Sequence, residues 1–531
     1  MTTLHGKSFI GGNLAAGGQE NKRATSPLDS SVLEPPFSSA TLEDVDAALK
    51  LAEEAFAGLS ARSGEERATF LERIADEIIA LGDDLLNRAH LETGLPIARL
   101  TGERARTVGQ LKLFAQVVRE GSWVDARIDR PLPERQPLPR PDIRRMLVPL
   151  GPVVVFGSSN FPLAFSVAGG DTASALASGN PVVVKAHSGH PGTSELVATA
   201  VRRAVEACGL PAGAFSMLHG SGRIVGLALV RHPFTRAVGF TGSRTAGRAL
   251  FEAAGTRPSP IPVFAEMSSL NPLFILPEAL KEHGKAIAEG LKNSITLGVG
   301  QFCTKPGFVI AIEGPELAGF QEALRVAFEA VPPATMLHGA ICNAFHAGAT
   351  RASGVNGVQP LGKTTQTVEA SKTHGGALML RTTYQHFLQH PELADEVFGP
   401  FALLISVKSV AEMQSFARDL EGQLTATVHA RAEDGEVARG LFSILQQKAG
   451  RLIVNGYPTG VEVCHAMNHG GPYPATTDSR FTSVGTAALY RFVRPMCYQG
   501  FPAQLLPQEL RDENPLGIAR LVDGVRTTAT I

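Results

Sequence analysis

The chain has 531 residues, with 49 Lys or Arg against 50 Asp or Glu and a formal net charge of -1. That is length for about three domains, and a near-neutral balance gives no bulk attraction to nucleic acid or to an anionic membrane. Five cysteines (Cys208, Cys303, Cys342, Cys464, Cys497), none in a Cys-x-x-Cys pair, argue against a disulfide framework or zinc ribbon, and no run approaches the ~18 apolar residues of a membrane span.

The opening "MTTLHGKSFIGGN" lacks the apolar stretch of a signal peptide, so a cytoplasmic protein is expected, with neither membrane nor nucleic acid as partner. Residues 41–120 read as helices. Thr41 and Asp44 stand at capping-box spacing ahead of Val45, Leu49, Ala52 and Phe56 on one face, and Gly58 predicts the stop; Ser63 and Glu66 repeat the scheme. From about 122 to 146, "SWVDARIDRPLPERQPLPRPDIRRM" is too polar for a core helix and too proline-rich for a central strand, and predicts an extended arm.

Strands then alternate with helices. "PVVVFG" and "PVVVKA" are β-branched runs, each followed by a helical pattern, and "RAVGFTG" leads into "SRTAGRALFEAAG". The second half alternates again through "PFALLISV", "SVAEMQSFARDL", "LTATVHA" and "RLIVNG". The fold class is α/β, with mostly parallel sheets.

Four short segments each set one polar or reactive residue among glycine, proline or small neighbours: Asn160 in "SSNFP", Glu266 in "FAEMSSLNP", Cys303 in "GQFCTKPG" and Glu396 in "EVFGPF". Taken singly, a cytosolic cysteine is usually a small buried hydrophobe and an Asn before Phe-Pro a turn residue. Together, in this order and spacing, the segments resemble the aldehyde dehydrogenase superfamily, from "FIGGN" to "SRFTSVGT".

The resemblance implies a Rossmann-type dinucleotide-binding domain (1–125 and 149–264), an α/β catalytic domain (265–478), and a β-hairpin oligomerisation arm with a C-terminal tail (126–148 and 479–531). A homodimer or homotetramer follows from it. Cys303 is then the nucleophile that adds to an aldehyde, Asn160 and the Cys303 backbone N–H the donors for the oxyanion, and Glu266 the base that activates water to release the acid. The turn at Gly242 and Ser243, between a strand and a helix, would hold the dinucleotide phosphates, and Glu396 the nicotinamide ribose. Lys185 matches the residue at the adenine ribose. Ser188 stands where NAD-preferring relatives usually carry a glutamate, which removes a clash with a 2'-phosphate of about 1 kcal/mol or more. With Arg223 as a second cation, NADP is the expected cofactor, NAD being possible.

"CHAMNH" places Cys464, His465 and His469 together, but lacks the glutamate of His-Glu-x-x-His and runs into "GGPYP"; no metal is expected there, rather a lining of the substrate mouth. Among aldehyde dehydrogenases the wording is most like the branch acting on α-ketoglutaric semialdehyde (2,5-dioxopentanoate), with a fatty aldehyde branch as alternative. Phe161, Phe165, Phe302 and Tyr457 are the candidate substrate-lining residues, and Arg480 or Lys305 the candidates to meet a substrate carboxylate. A cysteine hydrolase without cofactor, using His187, His190 or His465 as base, is the alternative from another class; Glu266 argues against a coenzyme A-acylating enzyme.

Overall fold

The two valine runs, Val153–Phe156 and Val182–Lys185, pair in parallel in the middle of a seven-stranded sheet. Across it the order is Val263–Glu266, Ala237–Thr241, Val153–Phe156, Val182–Lys185, Phe215–Leu218, Ser8–Ile10, Asn13–Ala15. The first five are parallel; Ser8–Ile10 pairs antiparallel with Phe215–Leu218, and Asn13–Ala15 antiparallel with Ser8–Ile10. This computed structural model describes residues 3–15, 17–18, 21–369 and 371–531.

Alternation along the strands feeds two cores. Val153, Val155, Val182 and Val184 point to one face, packed with Ile74, Leu111, Phe114 and Val201 of the covering helices. Val154, Val183 and Val238 point to the other, with Leu49, Leu229 and Leu250. A parallel sheet covered on both faces needs such β-branched runs, and burying each valine contributes about 1.5–3 kcal/mol. The capping boxes form as predicted at Thr41 and Ser63, although the first helix, Leu42–Ser60, continues past Gly58.

The second sheet also has seven strands, in the order Gln359–Lys363, Leu378–Thr383, Phe401–Val407, Phe308–Ile312, Leu273–Ile275, Gln423–His429, Ala449–Val454, all parallel except the first. After it, an irregular segment returns to the first sheet: Thr476 bridges to Glu266, and the Met267 N–H donates to the Ala475 carbonyl.

The arm is a hairpin of Arg127–Asp129 and Ile143–Pro149 with an exposed tip. It belongs to a five-stranded sheet with Val493–Gln499 on one side and Arg520–Val522, then Val525–Thr527, on the other. The tail is tied to the hairpin by Arg144, which pairs with Asp142 at 2.9 Å and Asp512 at 2.6 Å.

Candidate active site

Four chain segments converge at the site. Asn160 follows Val153–Phe156, Glu266 ends Val263–Glu266, and Cys303 sits in the loop between the helix Pro277–Thr296 and the strand Phe308–Ile312. His469 comes from the returning segment.

The Cys303 loop is shaped by glycine. Gly300 has φ +65°, and a Cβ there would stand 2.3 Å from the Gly399 carbonyl carbon, so the loop lies backbone to backbone against the segment carrying Glu396. Asn271 holds the far side, its Nδ2 donating to the Cys303 and Lys305 carbonyls at 2.8 and 3.0 Å. Asn160 Nδ2 donates to the Gln301 carbonyl at 3.1 Å, which places the amide beside the nucleophile's own backbone.

Glu266 is 4% exposed. Its Oε1 lies 2.9 Å from His469 Nε2, and its Oε2 accepts from Ser483 Oγ at 2.7 Å. The same His469 nitrogen lies 3.5 Å from Cys303 Sγ. A carboxylate only accepts, so Nε2 carries the hydrogen, and it stands between carboxylate and sulfur. Burial pushes the Glu266 carboxyl up, but His469 and Ser483 outweigh it and hold the group below the usual range. Burial, and after it the Glu266 charge, push the Cys303 thiol well above its ordinary value, so the resting sulfur is protonated. Glu396 also acts on Cys303 electrostatically; its own carboxyl is raised by burial against the pull of Ser268 and Lys305.

The candidate cofactor residues lie at the carboxyl ends of neighbouring strands. Ser243 caps the helix Arg244–Gly255, its Oγ accepting from the Ala246 N–H at 3.3 Å, and Gly242 and Ser243 are exposed. Lys185 ends the strand Val182–Lys185, two places along the sheet from Ala237–Thr241, is 7% exposed, and pairs with no carboxylate among the described residues; burial lowers it to about 8. Ser188 is exposed just beyond, and Arg223 lies exposed in the π-helical turn Gly222–Gly226 after Phe215–Leu218, the next strand over. An open helix N-terminus and two cations with no acidic residue at position 188 fit a phosphorylated dinucleotide.

Phe161, Phe165 and Phe302 come together as an edge-to-face ladder, with Phe161 5.3 Å from each of the other two. Tyr457 does not join it. Its hydroxyl donates to the Ile287 carbonyl at 3.0 Å and its ring packs on His429, because Gly290 leaves room for it against the helix Pro277–Thr296. Neither carboxylate candidate fits its expected role. Lys305 is 2% exposed, its Nζ donating to the Phe401 carbonyl at 2.7 Å; Arg480 points outward and pairs with Asp478 at 2.5 Å.

"CHAMNH" divides: His465 is exposed near Thr486, whereas His469 is buried in the cluster rather than lining a mouth. Ligand atoms of Glu266, Cys303 and His469 lie within 4.8 Å of one another, the one such set among the described residues, but the hydrogen on Nε2 and the protonated thiol make it a hydrogen-bonded cluster. Of the histidines considered for a hydrolase, His187 and His190 stack on each other at 5.2 Å, with His190 bonded to the Ser158 carbonyl, and His465 is on the surface. The residue beside the thiol is His469. It carries the same signature as the other four, a polar residue among glycines in "NHGGP", and so was within reach of the sequence pattern.

The sequence pattern of the aldehyde dehydrogenase family matches residues 15–474. Alpha-ketoglutaric semialdehyde dehydrogenase 2 of Azospirillum brasilense is 53% identical over 524 residues, covering 98% of this chain and 99% of that protein. Alpha-ketoglutaric semialdehyde dehydrogenase of Acinetobacter baylyi is 46% identical over 530 residues, 99% and 100% of the two chains. Among solved structures, aldehyde dehydrogenase C of Pseudomonas syringae, a mutant complexed with NAD+ and octanal, superposes with a TM-score of 0.78 at 23% identity, over 93% of this chain and 97% of that one.

Proposed function

The chain belongs to the aldehyde dehydrogenase family, and from that premise we propose that it oxidises α-ketoglutaric semialdehyde (2,5-dioxopentanoate) to 2-oxoglutarate with NADP+. The observation that carries this reading is the convergence of Cys303, Glu266 and Asn160 in a chain so similar to two enzymes of that name.

In the proposed reaction the Cys303 S–H proton is released to solvent as the sulfur adds to the aldehyde carbon, and the carbonyl electron pair moves onto oxygen, leaving the Glu266 carboxylate ionised for the second step. Asn160 Nδ2 and the Cys303 backbone N–H stabilise that oxyanion; losing one such donor typically costs about 100- to 1000-fold in rate. A bound nicotinamide dinucleotide supplies the hydride acceptor, held by the turn at Gly242 and Ser243, by Lys185 and by Glu396. The resulting thioester on Cys303 is hydrolysed when Glu266 takes a proton from water, the water oxygen attacks the acyl carbon and the C–S bond breaks, the departing sulfur taking that proton back from Glu266. The preference for NADP rests on Lys185 and Arg223 with Ser188 in place of an acid. On this reading the first sheet and its helices (1–125 and 149–264) bind the dinucleotide, 265–478 form the catalytic domain, although the first sheet's edge strand runs on to Glu266, and the arm sheet joins subunits in a homodimer or homotetramer.

Formation of NADPH at 340 nm with 2,5-dioxopentanoate, succinate semialdehyde and a long-chain aldehyde tests the assignment. The highest kcat/KM is expected for 2,5-dioxopentanoate with NADP+. Faster turnover of the long-chain aldehyde, or with NAD+, would overturn the substrate or the cofactor part respectively.

A further inference from the structure

A substrate with a carboxylate at the end remote from its aldehyde needs a cation that is within reach of Cys303, open to a cleft and not already neutralised. Lys305 is enclosed by carbonyls and Arg480 is ion-paired at the surface. Two arginines lie against the ladder, and a third, Arg451, is within electrostatic reach of Cys303. Arg99 lies over Phe161 and Phe302 at 5.1 and 4.9 Å and donates to the Asn160 carbonyl at 2.7 Å, so it supports the loop that carries the oxyanion donor. Arg451 is influenced by Cys303, but its guanidinium donates to the Pro458 and Gly460 carbonyls and it does not line the cleft.

Arg106 meets the requirement. It lies on the helix Ile97–Glu120, its guanidinium carbon 5.8 Å from the centre of Phe165, at the outer end of the ladder that runs through Phe161 and Phe302 to Cys303. It lines a cleft of about 480 Å³ with Gln110, Lys112 and Glu462, a lining that includes none of the nucleophile's loop residues, so the guanidinium stands between open space and the phenylalanine ladder. One Nη donates to the Val461 carbonyl, while the buried Nε has no hydrogen-bond partner; Arg99 Nη1 and Arg451 Nε share that lack, but neither of those residues lines the cleft. Its charge interacts with Cys303, Glu103 and Glu462. Yet no ion pair joins it to a carboxylate among the described residues: Glu103 is turned to the Leu163 and Ala164 N–H groups, and Glu462 is exposed at the rim. A buried guanidinium N–H without an acceptor is costly, and a carboxylate is the acceptor that fits it.

We propose that Arg106 is the receptor for the distal carboxylate of the substrate, whose carbon chain lies along Phe165, Phe161 and Phe302 with its aldehyde at Cys303. This rests on the reading of the chain as an oxidiser of an acidic aldehyde. It predicts a binding effect separable from the chemistry, because Arg106 touches the end of the substrate that does not react.

The test compares 2,5-dioxopentanoate with pentanal, which has the same number of carbons and no charge, in the full-length enzyme and in Arg106→Met and Arg106→Lys. Arg106→Met is expected to raise KM for the acid about 10- to 100-fold, with kcat nearly unchanged, and to leave pentanal unaffected or improved. Arg106→Lys should fall between, retaining charge but losing the planar fork. Turnover of pentanal shows that the variant is folded; if Arg106→Met fails on both substrates, Arg106→Lys decides. An acid-to-neutral ratio of kcat/KM unchanged from the parent in whichever variant is active overturns the assignment. Failure of the parent itself to prefer the acid would instead overturn the substrate reading on which it rests.

Discussion

His469 Nε2 donates to Glu266 at 2.9 Å and stands 3.5 Å from the Cys303 sulfur. A single N–H thereby fixes the carboxylate facing the thiol and offers the sulfur a donor once it ionises. His469→Phe keeps an aromatic ring but removes the donor, and kcat is expected to fall about 10- to 100-fold. The pH profile moves in a definite direction. His469 is the largest influence lowering the Glu266 carboxyl; without it burial prevails, the carboxyl titrates higher, and the acid limb of kcat shifts to higher pH. His469→Gln, which can still donate, should recover part of both effects. An unshifted acid limb in His469→Phe would remove the histidine from the proton chemistry.

Cys303→Ala should abolish oxidation while NADP binding, measured by fluorescence titration, stays close to that of the parent. Glu266→Gln should permit the first hydride transfer but slow thioester hydrolysis, so rapid mixing shows a burst of NADPH followed by a weak steady state. The same variant carries a second expectation. Because the Glu266 charge helps to raise the Cys303 thiol, its loss should bring the midpoint of Cys303 alkylation, followed by peptide mass spectrometry, to lower pH. A midpoint that rises instead would mean the carboxylate assists thiol ionisation in the resting enzyme.

Lys185, brought down to about 8 by burial, is a cation below that pH and neutral above it. The KM for NADP+ in the free enzyme should therefore rise above about pH 8 more steeply than that for NAD+, which lacks the 2'-phosphate. Parallel pH curves for the two cofactors would place the 2'-phosphate away from Lys185.

Gly300→Ala tests the seam between the Cys303 and Glu396 loops. The added Cβ meets Gly399 backbone at 2.3 Å at a φ of +65°, so both clash and conformation oppose it, together roughly 2–4 kcal/mol. A lower thermal midpoint and a reduced kcat are expected; a variant with the parent's stability would mean that the seam yields easily.

Elements with strong local signals were legible in the sequence: the valine runs, the two capping boxes, and the four polar residues set among glycine and proline. What escaped it depends on packing. Arg106 is one of several arginines on a long helix, and nothing local distinguishes the one that meets Phe165 from Arg104, which donates to the Gly82 carbonyl. Tyr457 sits between loop residues like a lining side chain, yet a glycine on a distant helix decides where its ring goes. Lys305 is two residues from the nucleophile, and a backbone turn sends it inward to the Phe401 carbonyl. His469 bore the right pattern, but shared its segment with Cys464 and His465, and the three together suggested a lining of the substrate mouth rather than a residue beside the thiol.

The arm sheet has a consequence for how the protein is made. Its hairpin ends at Pro149, but the strand that covers Arg127–Asp129 begins at Arg520, after every strand of both seven-stranded sheets. At about 5–20 residues per second, a ribosome spends tens of seconds between the two. During that time both sheets around the active site can fold while the edge of Arg127–Asp129 stands unpaired. The arm is thus completed after the sheets around the active site, and any assembly through it waits until Arg520–Val522 has been made.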